Sequence, residues 1–588
     1  MKLVKSTNAV LAVILILAFA LRVYHSGTYG IYLDEKYTLL ISQGISMEGA
    51  NQRDVFFTPG KPYFTPREFW KEKSIDDFIG ANIRGDIGNS PSYYAVLWLW
   101  TKLFGLSDFS LRFPSVLFST LLVGLVFLFV RRHFKSERLA LLSALLTAVE
   151  PFFIAYSHMA RNYSMSFFLT LLATHLFLLI LDQHRSGQAV NKRLLVYGLV
   201  FVMALLSHYL TITVFLCHGL YALIYVRPAR RWVPFLLTGL VGVGLVSLWF
   251  LFGGGVYTFK TLAYQAQFYR NLALTDPYKN GFGIILPATL INVAERSAPI
   301  WADLFIISNG LGQIDALGIR NVAISVFLGL FAVGLLYRYH PMSPLPLWVF
   351  LLYPLLLIAA LPLVTVINLQ YVVVAALPSF AYLLLLAIRR QAMEGRLPLL
   401  VFVIMLAVVP TLFLIVMAFR NGHTYGITQR YSGFSFPFSV ILVALLLQQA
   451  ARIQNEFREV LWVVLAIQCY FVIRLLYHIY QDQEPKYTYF ARQRSPNPYY
   501  LVAQKIKQAY VPGDTVLYPS IRLHPRDEIE KTYWPFSIQD AQLTNMYLPK
   551  DAEYVQRMDT TEVDKITLVK PSGKKITLFD LKGNTYRY

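Results

Sequence analysis

Two cysteines in a chain of 588 residues cannot build a disulfide framework, and Cys217 and Cys469 both fall inside apolar runs. Charge is scarce too. Asp, Glu, Lys and Arg supply 15% of the residues, with 33 acids against 53 bases. No zinc-ligand spacing, Walker-type phosphate loop or internal repeat occurs, which argues against ATP as a driving force and against a repeat-built architecture. The first apolar stretch, Asn8 to Val23, has Lys2 and Lys5 ahead of it but no A-x-A-like cleavage site behind it. It reads as a retained span ending at Leu21-Arg22-Val23-Tyr24, not as a removed leader.

Apolar sequence is what the chain has in quantity. It is 56% hydrophobic, with a mean hydropathy of +0.49. Runs of about 20 apolar residues, enough to cross a bilayer, recur as far as Tyr480. Backbone polar groups in lipid must be satisfied within the segment, so these runs are helices even where Val, Ile and Leu abound. The fold class expected is an α-helical polytopic membrane protein with 13 spans. They lie near 8–25, 108–130, 138–156, 161–181, 193–209, 211–226, 232–252, 318–338, 345–365, 369–389, 398–419, 430–450 and 458–478.

The net charge of +20 is not laid out as a nucleic-acid surface. Connections between spans alternate between basic and nearly uncharged. One set carries Lys2 and Lys5, then Arg131, Arg132, Lys135 and Arg138, then Arg185, Lys192 and Arg193. It continues through Arg227, Arg230, Arg231, Arg338, Arg389, Arg390 and Arg396 to Arg452 and Arg458. The other set, around Pro151, His208, Asn368 and Thr424, has almost no Lys or Arg. This positive-inside pattern places the N-terminus in the cytoplasm. An odd number of spans then puts the C-terminus outside. The expected location is a bacterial inner membrane, crossed many times.

Two domains are expected, a membrane domain over 1–480 and an extracytoplasmic α/β domain over 481–588. Outer loops 26–107 and 253–317 are too polar to span. Within the first, Pro91 to Gly105 (PSYYAVLWLWTKLFG) is apolar and rich in Trp and Tyr but too short to cross, so it is assigned to the interface. In the tail, Val502, Ile506 and Ala509 have helical spacing, and Thr515-Val516-Leu517-Tyr518 reads as a strand. Ile566 to Val569 and Ile576 to Phe579 flank Pro571-Ser572-Gly573 as a hairpin.

The chemistry is expected at Asp34 and Glu35, adjacent carboxylates just past the first span, where charge near hydrocarbon is costly. Outside the cytoplasm nucleotides are lacking, so an enzyme there needs an activated donor delivered by lipid. A polyprenyl-phosphate sugar fits, with phosphate as leaving group. Such a site needs a carboxylate base for an acceptor hydroxyl and cations for the phosphate. Neighbours on a helix point about 100° apart, so one carboxylate faces a bound sugar. Asp34 is assigned as the base, or as a helix N-cap. Glu35 is left to orient a partner or bind acceptor. Arg161, with His158 and Tyr163 a turn either way, and Arg430 beside Tyr431 read as a phosphate clamp or as snorkelling side chains. Asp86, His158, His208 and Tyr209 are candidates for substrate contact, with solvated or satisfied interfacial roles as the alternative for Asp86 and His208. No cofactor is indicated. A divalent metal is left open, although His158 and His208 are too sparse to define a site.

Several stretches carry a resemblance. Asp34-Glu35 is followed by Pro91-Ser92-Tyr93-Tyr94 through Trp100-Thr101-Lys102-Leu103-Phe104-Gly105, then by Ser110-Leu111-Arg112-Phe113-Pro114-Ser115 and by Tyr156 to Tyr163. Together with Arg430-Tyr431 and Pro437, they resemble glycosyltransferase family 39 of the GT-C superfamily, the group of protein O-mannosyltransferases and lipid A aminoarabinose transferases. The resemblance implies that the base falls on Asp34-Glu35 and carries Arg161 and Tyr163 into the site. It further implies inverting transfer from a polyprenyl-phosphate sugar, often without an essential metal, and an outer C-terminal domain. Departures exist. Met159 stands where the family pattern has an acid, Asn162 where it has methionine, and Ser90-Pro91 where a double proline is common. Asn89-Ser90 lacks the Glu-Lys of the aminoarabinose transferases, which speaks against lipid A in particular.

The acceptor, whether protein, lipid or glycan, is left open. Two other classes compete, a transporter or lipid flippase and a non-catalytic subunit of an envelope complex that retains the fold. Transporters show paired repeats and broken helices near the midplane. Here the polar candidates gather at one face instead.

Overall fold

The computed structural model describes residues 2–48, 52–58, 60–86, 89–306, 317–339, 344–365, 369–454, 456–483, 493–521 and 536–587. Eight of its helices are long and apolar enough to cross a membrane: Asp108–His133, Tyr163–Arg185, Val233–Phe252, Gly318–Tyr339, Leu369–Met393, Leu397–Asn421, Gln429–Ala450 and Phe457–Tyr480. Glu137–Val149 and Pro151–Ser157 together make a ninth, bent by 53°. The bend has a local cause. Pro151 has no N–H to donate and forces Glu150 out of helical conformation, to ψ 113°.

Shorter apolar helices at Thr7–Val23, Tyr209–Tyr225 and Leu347–Leu363, with Asn191–Ser207, fall on the other expected spans. Length and composition thus establish a multi-span helical protein, with eight or nine candidate spans among the described residues, and leave the count of 13 unsettled. The outer turn expected at Asn368 lies outside the described residues. The interfacial segment is a separate 14-residue helix, Pro91–Phe104, opened by Pro91 and closed by Gly105 at φ 76°.

One buried polar anchor ties the first helix to two others. Arg22, buried at the end of the first helix, donates Nε to Ser119 Oγ (2.7 Å). Its remaining N–H groups reach Ala18 O and Ala148 O (3.0 and 2.9 Å) and Thr147 O (3.0 Å). The cation therefore sits on the last carbonyls of Glu137–Val149, the negative end of that helix.

The tail folds onto a five-stranded sheet of order β1-β3-β2-β4-β5, with β1 Tyr63–Phe64, β2 Thr515–Pro519, β3 Gln556–Asp559, β4 Lys565–Val569 and β5 Lys575–Asp580. The expected hairpin is β4–β5, with Thr567 opposite Thr577. The expected helix is Pro498–Ala509, burying Val502 and Ile506. One strand comes from elsewhere. β1 belongs to the long loop after the first helix and pairs antiparallel with β3, Phe64 opposite Gln556. A two-residue strand has no periodicity for a sequence to display.

Loop and tail form a continuous unit on the bundle. Glu48, buried in the loop, accepts hydrogen bonds from Ser537 Oγ (2.8 Å) and from the N–H groups of Ile538 (3.0 Å) and Gln539 (3.1 Å). Asp108, at the start of a span, accepts from Asn497 Nδ2 (2.9 Å) and from the Tyr547 hydroxyl (3.2 Å). Near the chain end, Tyr586 packs against Gly30, whose N–H donates to Ser495 O at 2.9 Å. A Cβ on Gly30 would stand 2.1 Å from the Tyr586 ring and 2.6 Å from Ser495 O. Gly30→Ala is therefore expected to unseat the chain end. Limited proteolysis should cleave the C-terminal unit faster than in wild type, and an unchanged digestion course would refute this seat.

Candidate functional site

Three short segments converge on the face of the bundle covered by the C-terminal unit. They are the helix Leu33–Ser42, the non-helical stretch 158–162 between Pro151–Ser157 and Tyr163–Arg185, and the turn of helix Gln429–Ser432. Leu33–Ser42 carries both carboxylates in its first turn, where the helix dipole favours acids. They point apart.

Glu35 is fully buried and accepts five contacts. Arg112 grips it in a fork, Nε to Oε1 and Nη2 to Oε2, both 2.9 Å. The backbone N–H of Tyr32 donates to Oε2 (3.0 Å) and that of Ala160 to Oε1 (2.6 Å). Arg494 Nη1, from the C-terminal segment, lies 3.6 Å from Oε2. Burial alone would raise the pKa of this carboxyl, but the two guanidinium groups and the Ala160 N–H overcome it and hold the pKa below the ordinary value. The other N–H groups of Arg112 go to Ser26 O (2.9 Å), Tyr29 O (2.6 Å) and Gly30 O (2.9 Å). All five of its donors are satisfied. Glu35 has no orientation toward an open site.

Asp34 is partly exposed, and its Oδ2 lies 3.7 Å from Arg430 Nη1. Arg161 stands beside it. Arg161 Nη1 donates to Thr38 Oγ1 (2.9 Å) and to the Asp34 carbonyl (3.3 Å), and Nη2 lies 3.5 Å from Asp86 Oδ1. Its Nε is buried with no hydrogen-bond partner among the described residues, and the whole residue is only 8% exposed. Asp86 also accepts from the Tyr94 hydroxyl. Burial raises its pKa, against the opposing pull of Arg161. Asp86 is thus a partner of the arginine and not a solvated loop acid.

Aromatic side chains wall the arginines. The Arg430 guanidinium lies 4.8 Å from the Tyr431 ring centroid, within cation–π range. His208 lies between Tyr431 (5.9 Å) and Tyr163 (5.8 Å). His158 faces elsewhere, its Nε2 3.0 Å from Arg22 O and its ring 5.8 Å from Tyr480. Tyr209 stacks on Phe250 at 5.0 Å. Asp34, Asp86, Arg161, Arg430, Tyr163, Tyr431 and His208 are therefore brought together, while Glu35, His158 and Tyr209 are turned into packing. Asn162 is structural as well, donating to Ser90 Oγ (2.7 Å) and to Ser207 O. The Met159 sulfur accepts from the Tyr32 hydroxyl at 3.7 Å. Among the described residues no group of three His, Cys, Asp or Glu side chains is placed to hold a metal.

Arg112, Thr38, Tyr94 and Arg494 have no assigned role in the sequence reading. Arg112 did leave a signal. An arginine one turn inside an apolar span requires a buried partner. The others left none, because their roles depend on which segments meet.

Comparison with known proteins follows the same segments. A family model described as dolichyl-phosphate-mannose-protein mannosyltransferase matches residues 89–251. This bears out the resemblance over the interfacial helix, Arg112 and the Tyr156–Tyr163 stretch; Asp34 and Arg430 lie outside the match. No curated protein matches the chain. Among solved structures, the Archaeoglobus fulgidus oligosaccharyltransferase in complex with Zn and sulfate is 15% identical, with a TM-score of 0.41, covering 85% of this chain and 55% of that one. The Archaeoglobus fulgidus protein AglB, with an inhibitory peptide and a dolichol-phosphate, is 14% identical with a TM-score of 0.43, covering 86% and 58%. ArnT from Cupriavidus metallidurans, bound to undecaprenyl phosphate, is 14% identical with a TM-score of 0.33, covering 93% and 84%. The chain spans little more than half the length of the archaeal proteins.

Removing one member of a buried ion pair strands the other. Arg112→Ala is expected to cost about 3–5 kcal/mol, read as a lowered thermal midpoint of the purified protein. Because the Glu35 pKa is depressed in the fold, the pair's contribution is complete above the ordinary carboxylate range and is lost as pH falls through the depressed value. The midpoint should therefore drop on acidification in wild type, and Glu35→Gln should remove that part of the drop. A pH-independent difference between the two proteins would contradict the assignment.

Proposed function

We propose that this chain is a membrane glycosyltransferase that moves one sugar from a polyprenyl-phosphate donor to an acceptor hydroxyl at the outer face of the membrane. The observation that carries the reading is the placement of a partly exposed carboxylate, Asp34, near Arg430 and beside Arg161, which keeps a buried donor unfilled. A charged donor left without a partner in a buried position is costly. An anion placed against Arg161 Nε would remove that cost, and a phosphate oxygen has the charge and geometry to do so.

In this mechanism Asp34 takes the proton of the acceptor hydroxyl. The acceptor oxygen bonds to the anomeric carbon as the bond from that carbon to the phosphate oxygen breaks. The electron pair leaves on the polyprenyl phosphate, and Arg161 and Arg430 offset the charge that develops there. Attack opposite the leaving group inverts the anomeric centre. Tyr163, Tyr431 and His208 form an aromatic wall on which a sugar ring can rest. Glu35 acts through structure, holding Leu33–Ser42 against Ala160 so that Asp34 and Arg161 stay side by side. The location that goes with this reading is a bacterial inner membrane, with the N-terminus cytoplasmic and the C-terminal unit outside. The acceptor is a protein, lipid or glycan hydroxyl.

Asp34→Asn is expected to lower sugar transfer by about 10²–10⁴-fold while the protein still binds polyprenyl phosphate, with product formation followed from a labelled donor. Near wild-type turnover in that variant would remove Asp34 from the reaction. Arg161→Ala and Arg430→Ala are each expected to weaken polyprenyl-phosphate binding by about tenfold or more, measured by titration of the purified protein. Unchanged affinity in both would favour a transporter or a non-catalytic subunit, especially if wild type transfers no sugar.

A further inference from the structure

Away from the carboxylates, a cleft of about 310 Å³ opens between the interfacial helix Pro91–Phe104 and the C-terminal unit. Gln43, Thr101, Lys102 and Gly105 line one side, and Lys507 and Lys550 the other. Three lysines therefore border one small concavity. None of them forms an ion pair among the described residues, although the sequence alternatives for such pairs are common elsewhere on this unit, as at Lys570–Asp514 and Arg587–Asp540.

Two of the lysines are held in place. Lys102 Nζ lies 4.5 Å from the Trp98 ring centroid and Lys550 Nζ 4.1 Å from that of Trp70. Burial, and next the nearby charge of Lys102, push the Lys550 pKa down, so the two cations repel each other. The adjoining surface of Pro91–Phe104 is apolar. Trp98, Leu99, Leu103 and Phe104 are 45%, 52%, 68% and 62% exposed. Gly105 and Leu106 border the cleft and lead directly into the span Asp108–His133. A basic concavity beside exposed Trp, Leu and Phe matches the layer of lipid headgroups, where aromatic side chains settle and cations meet phosphate.

We propose that this cleft binds the phosphate headgroup of an anionic membrane lipid, seated among Lys102, Lys507 and Lys550, with its acyl chains along the exposed face of Pro91–Phe104. The cleft wall is joined to the end of the carboxylate helix. Gln43 directly follows Leu33–Ser42, and its Nε2 donates to Thr101 Oγ1 at 3.0 Å inside the cleft wall. The site is separate from the Asp34–Arg430 cluster, and the inference does not rest on sugar transfer.

The full-length protein, taken into nanodiscs of equimolar phosphatidylglycerol and phosphatidylcholine and released for native mass spectrometry, should retain phosphatidylglycerol by about tenfold or more over phosphatidylcholine. The triple variant Lys102→Ala, Lys507→Ala, Lys550→Ala should lose that preference at an unchanged thermal midpoint. Replacing the same three lysines by arginine should preserve it, separating loss of charge from loss of fold. Equal preference in wild type and the alanine variant would overturn the site. If millimolar inorganic phosphate binds the lipid-free protein in a lysine-dependent way and displaces phosphatidylglycerol, the ligand is a soluble anion and the membrane assignment fails.

Discussion

The buried ion pair between Glu35 and Arg112 is the contact on which the arrangement of this face depends. It joins the start of Leu33–Ser42 to a membrane span, and the Ala160 N–H ties the stretch holding Arg161 to the same carboxylate. Arg494 adds the C-terminal segment from the other side. A carboxylate that binds three parts of the chain in a water-poor place is useful because each donor has a fixed direction. Hydrophobic contact has none. The pair contributes geometry more than net stability, since desolvation offsets much of the attraction between buried charges.

With Glu35 committed inward, the helical rotation of about 100° between neighbours turns Asp34 outward. Asp34 reaches Arg430 while its own carbonyl accepts from Arg161. Two adjacent acids thus have unlike surroundings, one saturated by five contacts and one partly exposed beside cations. The same division recurs among the histidines. His208 stands among Tyr163, Tyr431 and Phe434, whereas His158 is held against the end of the first helix.

The membrane sets a second constraint. Hydrocarbon offers no partner to an unpaired backbone group, so irregular backbone is favoured at the span ends, where polar side chains also gather. The break at Glu150–Pro151 divides one bent span, and the non-helical 158–162 stretch follows its end. Ser90, in left-handed conformation at φ 61°, is held there by Asn162. Two positions that depart from the family pattern, Met159 and Asn162, are accommodated by local contacts to Tyr32, Ser90 and Ser207.

Much of this architecture was legible in the sequence, because hydropathy acts locally. Long apolar runs, the interfacial helix at Pro91, the β4–β5 hairpin and the helix at Pro498 each depend on neighbouring residues alone. Asp34, Arg161 and Arg430 stood out as charges at the ends of apolar segments. Only the tertiary structure decided that Glu35 faces inward, that Asp86 pairs with Arg161, and that Tyr63–Phe64 joins a sheet made otherwise by the tail. These outcomes follow from contacts between residues tens to hundreds of positions apart, and no periodicity along the chain encodes such a meeting. The sequence determined which segments prefer lipid and which prefer water; packing chose the partner of each charge.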